Sequence, residues 1–308
     1  MANERYIAVA GGANIDIGGK SLAKVIPNDS NPGTVKISLG GVGRNIAHNL
    51  SLLGVPVKLF TALGTDMHAD RIITSCRNLS IDLHSARVQD VSTSTYLYVA
   101  DENGDMACAI SDMEVCDYLT PSFFEKHMGL IDHAAALVLD TNLPEASIRY
   151  LVETSKAPVF VDPVSVTKAG KLKEVLSGIH TIKPNRLEAE LLTGRTITTK
   201  EEAKKAAKSL LEQGVKQVFL SLGTKGVIAA SDAETEYVPS LKSETVSLTG
   251  AGDAFMAGIV YAYFNGANLV TQAKTGSAAA AVAIESMETI NERLSPGLLR
   301  RILSVGIK

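Results

Sequence analysis

Apolar and polar positions along the chain switch between two periods. Tyr6–Ala10 is a short apolar run that predicts a first buried strand. Ile46, Leu50 and Leu53 then recur at helical spacing, and Gly54 and Pro56 predict where that helix stops. Val57–Leu63 predicts a second strand. Ala136–Leu139, Val159–Val161, Ile179–Ile182 and Val218–Leu220 predict further core strands, with helical patterns between them. Thr199-Lys200-Glu201-Glu202 has the form of a capping box, opening a helix that Gly214 closes. Alternation of this kind predicts an α/β fold, a mostly parallel sheet with helices on both faces.

One stretch breaks the rhythm. Thr93–Ala100 and Met106–Ile110 are β-rich and joined by a linker containing Asn103-Gly104, which predicts a hairpin. Residues 17–38, rich in Gly, Pro, Asn and Ser, could supply two more strands. Segments 17–38 and 92–112 together read as a small β-sheet lid over a site; the plainer alternative is an edge meander.

Composition removes several function classes. Length alone suggests about two domains, but the pattern reads as one unit over 1–308 with the lid inserted. The 30 basic and 33 acidic residues are interspersed, and no basic stripe argues for nucleic acid. Cys76, Cys108 and Cys116 form neither a disulfide framework nor a zinc spacing, as expected of a reducing compartment. No apolar run approaches the ~18 residues of a membrane span, and the start lacks a signal-peptide core. A cytoplasmic protein is expected.

The chemistry concentrates in short motifs. Gly250-Ala251-Gly252-Asp253 opens an apolar helical run. Small residues there let an anion reach the free N–H groups of a first helical turn, where the dipole favours negative charge. An aspartate beside such a site fits a general base acting next to a forming anion, which points to phosphoryl transfer to an alcohol. A Gly-rich turn with Asp253 steadying the helix is the bland alternative. Asn14-Ile15-Asp16 follows the first strand, and residues two apart in extended chain share a face. Such a pair can bind adjacent sugar hydroxyls or cap a loop. Gly40-Gly41-Val42-Gly43-Arg44-Asn45 precedes the first clear helix, with Asn45 near its start as a ligand donor or a cap. Lys183-Pro184-Asn185-Arg186-Leu187-Glu188 follows a strand; Asn185 and Glu188 fit a capping box, or water around magnesium, which needs few protein ligands. Ser221-Leu222-Gly223-Thr224-Lys225-Gly226 could let phosphates lie against backbone, or make a tight turn. Neither a P-loop nor a dinucleotide fingerprint is present: Gly19-Lys20-Ser21 lacks the upstream glycine, and Gly11-Gly12-Ala13-Asn14-Ile15-Asp16 does not fit G-x-G-x-x-G.

The order of these motifs carries more than any one of them: N-x-D, GGxGxN, a β-lid, KPNxxE, SLGxxG and a late GAGD, all expected at strand-to-helix junctions. In this order, from Ala8 to about Ser286, the chain resembles the ribokinase-like sugar and nucleoside kinases, the phosphofructokinase-B family. Within it the resemblance is to the pseudouridine kinases, on Ser30-Asn31-Pro32-Gly33, Gly40–Ala47, Ser111-Asp112-Met113, Phe160–Ser165 and Thr181–Glu190.

The resemblance implies a ribokinase-like three-layer α/β/α core and ATP-dependent phosphorylation of the 5′-hydroxyl of pseudouridine. It implies that Asn14, Asp16, Gly41 and Asn45 hold the ribose, and that Thr95 and Asp112 in the lid face the base. Asp253 would be the general base, with Gly250, Ala251 and Gly252 as the anion hole. Asn185 and Glu188 would position Mg2+ through water. Lys183, Asn185, Ser221, Gly223, Gly226, Thr249 and Ser277 would line the ATP site, with the small-residue helix 276–283 near the adenine. It also implies a homodimer through the lid. Ser247 stands where many members carry an aspartate near a potassium site, which leaves K+ dependence open. Rival readings are another nucleoside or sugar kinase, a non-catalytic binding protein on the same fold, and an oxidoreductase, the last disfavoured by the missing fingerprint.

Overall fold

The computed structural model describes residues 5–241 and 243–305. Its strands are β1 (Ile7–Ala10), β2 (Asn14–Ser21), β3 (Gly33–Gly40), β4 (Val57–Leu63), β5 (Asp82–Arg87), β6 (Thr95–Ala100), β7 (Met106–Asp112), β8 (Ala136–Asp140), β9 (Val159–Asp162), β10 (Thr181–Ile182), β11 (Gln217–Ser221), β12 (Val227–Ser231) and β13 (Thr235–Val238). The helices are α1 (Val42–Leu52), α2 (Met67–Asn78), α3 (Pro121–Glu125), α4 (Met128–Ile131), α5 (Glu145–Thr154), α6 (Val166–Ala169), α7 (Arg186–Thr193), α8 (Lys200–Glu212), α9 (Ala251–Phe264), α10 (Leu269–Ile284) and α11 (Pro296–Val305).

Nine strands form the main sheet in the order β13-β12-β11-β10-β9-β8-β1-β4-β5. Its pairs are parallel from β10–β11 through to β4–β5, and β12 and β13 run antiparallel at one edge. Successive side chains of a strand point to opposite faces, and the core divides accordingly. Ala8, Ala10, Phe60, Leu137, Leu139 and Val161 pack with Ile148 and Leu151 of α5, Ala189 of α7 and Leu210 of α8. Ile7, Val9, Leu59, Ala136, Val138 and Phe160 pack with Ile46 and Leu50 of α1, Ile72 of α2 and Met256 and Ile259 of α9. Three layers result. All four residues of β1 are buried, as a central strand covered on both faces requires.

The second sheet is the expected lid, in the order β3-β2-β6-β7, with β2–β6 parallel and its neighbours antiparallel. Its first two strands extend beyond the expected 17–38: β2 starts at Asn14 and β3 ends at Gly40. The Asn103-Gly104 hairpin is present, with Gly104 at φ +92°. Asn31 serves the β2–β3 loop, where its Oδ1 accepts from Ile26 N at 2.8 Å.

Two sequence expectations change. The run 179–182 is a strand only at Thr181–Ile182, because the chain leaves a 3-10 turn at Leu176–Gly178 and reaches β9 over that short register. The segment Ser221–Gly226 does not lead into a helix. It is a 3-10 turn at Gly223–Lys225 joining antiparallel β11 and β12. Thr199 and Glu202 do form a capping box, and α8 ends just before Gly214.

Candidate active site

The expected site residues gather mostly where the parallel strands end, the edge at which open α/β sheets hold ligands. The turn after β1 comes first. Asp140, at the end of β8, is buried, and its Oδ2 accepts from Gly12 N at 2.8 Å and Gly43 N at 2.7 Å. Its Oδ1 accepts from Asn142 N at 2.8 Å. These bonds tie the start of α1 to the turn that delivers β2. Gly41 caps α1 at φ +95°, where a Cβ would lie 2.4 Å from Gly12 O, so this junction needs glycine. Gly43, Arg44 and Asn45 therefore lie inside the first turns of α1, and Asn45 is not its cap.

Asn14 and Asp16 share a face of β2, and Asn14 Nδ2 donates to Asp16 Oδ1 at 2.6 Å. Burial pushes the Asp16 carboxyl above its ordinary range, against the Asn14 bond and the charge of Arg44.

Gly250 caps α9 in the left-handed region, φ +79°, and no side chain caps that end. The first-turn N–H groups of α9 thus lack an intrahelical acceptor. Asp253 sits in this turn. Its Oδ2 accepts from Asn45 Nδ2 at 2.8 Å, bringing together residues 208 positions apart. Burial pushes the Asp253 carboxyl up to about 7; the negative charge of Asp162 adds to this, while Asn45 and Lys183 oppose it. A carboxyl poised near neutrality beside uncapped N–H groups can take a proton while an anion is stabilised next to it.

Lys183 and Asp162 complete the floor. Lys183 Nζ lies 3.1 Å from Asp162 Oδ2, with both side chains buried. A Cβ on Gly252 would lie 3.3 Å from the same Nζ, which places the ammonium beside the first turn of α9. Burial works against the Lys183 charge, but Asp162, Glu188 and Asp253 outweigh it and its pKa is raised. Asp140 and Asp162 carry no role in the sequence reading; each is a lone acid after an apolar run, and the partners that tie it into the site, Gly12 and Gly43 for Asp140 and Lys183 for Asp162, are not adjacent in the chain.

Asn185 caps α7 and forms a capping box with Glu188: Asn185 Oδ1 accepts from Glu188 N at 3.0 Å and Glu188 Oε2 from Asn185 N at 2.8 Å. The cap uses the amide oxygen of Asn185 and leaves its NH2, a donor suited to phosphate oxygen. Glu188 keeps Oε1 outside the cap. That fits a divalent cation held through water, which needs few protein ligands. Among the described residues no group of three His, Cys, Asp or Glu could hold a metal by itself. Asn185, Ser221 and Gly223 line a cavity of about 440 Å³ between α7, α8 and the β11–β12 turn. Gly226 closes that turn at φ +91°. Thr249 donates its N–H to Ser247 Oγ at 3.2 Å just before α9. Ser277 is buried in α10, whose small residues pack against α9, with Gly276 and Ala279 lying on Gly258.

Thr95 and Asp112 are register partners, and Thr95 also pairs with Ile15. Their side chains thus share the Ile15 face of the lid. Asp16 is in register with Tyr96, and Tyr96 with Ser111, so those two share the Asp16 face. The Tyr98 ring confirms the alternation, lying over Gly18 of β2, where a Cβ would meet it at 2.4 Å.

Comparison with known proteins places this geometry. The pfkB family carbohydrate kinase model matches residues 4–295. The chain is 35% identical over 298 residues to the pseudouridine kinase of Escherichia coli K12, covering 96% of this chain and 95% of that one. It is 36% identical to the uncharacterized sugar kinase YeiI of the same organism, covering 96% of this chain and 82% of that one. The Arabidopsis thaliana ribokinase complexed with ribose and ATP shares the fold, with a TM-score of 0.85 at 22% identity over 96% of this chain and 99% of that one. No helix among the described residues is long and apolar enough to cross a membrane. A ribokinase-like core, a β-lid and an aspartate at an uncapped helix start thus agree with the match across nearly the whole chain: the protein belongs to the pfkB family of carbohydrate kinases, phosphotransferases with an alcohol as acceptor.

Proposed function

We propose that the protein transfers the γ-phosphoryl group of ATP to the 5′-hydroxyl of pseudouridine. The observation that carries the kinase chemistry is the contact between Asn45 and Asp253 at the uncapped start of α9. It joins a ribose-binding amide to a carboxyl poised to act as base. The choice of pseudouridine rests on the 35% identity to the Escherichia coli enzyme of that name; the sugar kinase at 36% identity makes another nucleoside or sugar the second reading.

In this reading Asn14, Asp16, Gly41 and Asn45 hold the ribose. Asp253 takes the proton of the 5′-hydroxyl, and the N–H groups of Gly250, Ala251 and Gly252 receive the charge that develops on the phosphoryl group. Lys183 supplies a fixed positive charge at the same point, and Asn185 NH2 binds a phosphate oxygen. Ser221, Gly223, Gly226, Thr249 and Ser277 line the nucleotide. Asn185 and Glu188 would hold Mg2+, through water, and the ion would screen the phosphate charges. Catalysis is then mainly positioning and electrostatic stabilisation, as in most phosphoryl transfer. Tyr96 and Ser111, on the face of Asp16, are better placed to read the base than Thr95 and Asp112. The protein acts as a homodimer joined through its lids.

The test is ATP consumption with pseudouridine, uridine, other nucleosides and free sugars. The expected result is highest kcat/KM on pseudouridine. Preference for a free hexose would overturn the substrate, and no turnover on any of them would overturn the activity.

A further inference from the structure

Arg44 is buried in α1 with a relative exposure of 3%. Among the described residues it has no carboxylate within ion-pair distance. Its Nη1 donates to Leu39 O at 3.2 Å and to Asn45 Oδ1 at 3.3 Å, and its Nη2 to Ser75 Oγ at 3.2 Å. Nε has no partner. A buried cation without a paired anion is costly to the fold, so its place against Asn45 calls for an explanation.

We propose that Arg44 is a positioning residue: its guanidinium locks the amide of Asn45 in the one orientation that donates to Asp253. The orientation follows from donor chemistry. Guanidinium only donates and an ionised carboxylate only accepts. With Arg44 on one side of Asn45 and Asp253 on the other, oxygen must face Arg44 and NH2 must face Asp253. A flipped amide would set donor against donor and acceptor against acceptor. Holding Oδ2 of Asp253 in this way leaves Oδ1 to take the proton of the acceptor hydroxyl. The titratable neighbours of Arg44 do not compete for its charge: burial pushes the Cys76 thiol up to about 11 and His48 down to about 4, so both are neutral near pH 7, and Asp16 opposes the effect of burial on Arg44 itself.

The inference rests on the proposed base role of Asp253, whose other charged neighbours are Asp162, Asp140 and Lys183. The experiment is the pH dependence of kcat and kcat/KM, on the nucleoside that the wild type phosphorylates, for wild type, Arg44→Met, Arg44→Lys and Asn45→Ala. Arg44→Met frees the Asn45 amide to rotate, so Asp253 loses its donor and protonates more easily. The acid limb should move to higher pH by about 0.4–1 unit, the worth of one hydrogen bond, and the nucleoside KM should rise several-fold. Arg44→Lys keeps the charge without the planar fork, so it should leave the limb shifted as in Arg44→Met. In the Asn45→Ala background, Arg44→Met should move the limb no further. Titration of the Asp253 carboxyl carbon by NMR should report the same shift without turnover. If the Arg44 variants do not fold, Ser75→Ala loosens the same guanidinium and should give a smaller shift of the same sign. A lowered melting temperature with an unmoved limb, or a limb shift undiminished by Asn45→Ala, overturns the inference while the kinase reading stands. Wild-type turnover of no nucleoside or sugar, or normal kcat in Asp253→Asn, overturns both.

Discussion

Lys183 and Asp162 form a buried ion pair, Nζ to Oδ2 at 3.1 Å, on neighbouring strand ends beside the first turn of α9. Breaking a buried pair from one side leaves a charge with no compensation, at about 3–5 kcal/mol. Lys183→Met is therefore expected to destabilise the fold by that order in denaturant melts. It also removes a cation that holds the Asp253 pKa down, so the acid limb of activity should rise in pH. Asp162→Asn removes an anion that holds that pKa up, and the limb should fall. Limbs moving the same way in both variants would refute the electrostatic account.

Asp253 itself gives a prediction in two measurements. As base, Asp253→Asn should retain ligand binding and lose turnover by ~10²–10⁴-fold. As a buried acid with its pKa raised to about 7, it binds its proton more tightly folded than unfolded. Its contribution to stability is full below the unfolded value of 3.8 and is lost as pH rises through about 7. The melting temperature of Asp253→Asn should therefore gain on wild type between pH 4 and pH 8. An unchanged gap across that range would mean that Asp253 is not buried as an acid.

Asp16→Ala should raise the nucleoside KM and leave ATP binding alone. Ribose hydroxyls left without an acceptor cost about 1–3 kcal/mol each, roughly a 5- to 150-fold loss in kcat/KM. A fall in ATP affinity at constant nucleoside KM would assign Asp16 to another ligand.

The parts of the fold set by local signals were legible in the chain. Val57–Leu63 is β4 to the residue, and Thr199 with Glu202 makes the capping box that their spacing predicts. The acids at strand ends were not legible, because a lone aspartate after an apolar run reads equally as a cap or a turn. Asp140 acquires its role from Gly12 and Gly43, 128 and 97 positions away. Arg44 was hidden for a similar reason: its position next to Asn45 says nothing of Ser75 or Leu39. The lid shows a third kind of limit. A strand has a side-chain period of two, so a one-residue difference reverses the face, and Thr95 and Asp112 are each one residue from the face of Asp16.

That reversal is testable. Pseudouridine differs from uridine by its C–C glycosidic bond and an extra ring N–H, and a site that pairs with that N–H disfavours uridine by leaving its own partner group unsatisfied. Ser111→Ala and Tyr96→Phe should narrow the ratio of kcat/KM between the two nucleosides. Thr95→Ala and Asp112→Ala should leave it near wild type. A ratio that responds to Asp112 and not to Ser111 would return the base site to the other face.

The same alternation gives the lid an apolar outer face. Ile37, Ile17, Leu97 and Ile110 are register neighbours across all four strands. Ile110 is 65% exposed and Ile37 44%, with Val35 at 72% one step along β3 on the same side. The outer strands β3 and β7 also leave their edges unpaired, a feature that proteins commonly cover. A second lid presenting the same row would bury it by a two-fold contact, in which one patch serves both copies. The expected state is a homodimer at micromolar concentration by light scattering. Ile110→Lys puts a charge at the centre of that contact and should give a monomer. The side chains proposed to hold ribose, Asn14 and Asp16, lie on the opposite face of the lid, so ATP binding should survive the substitution, and any loss of activity should come from a lid less firmly held. A wild-type monomer, or a dimer that Ile110→Lys leaves intact, would show that the row is not the contact.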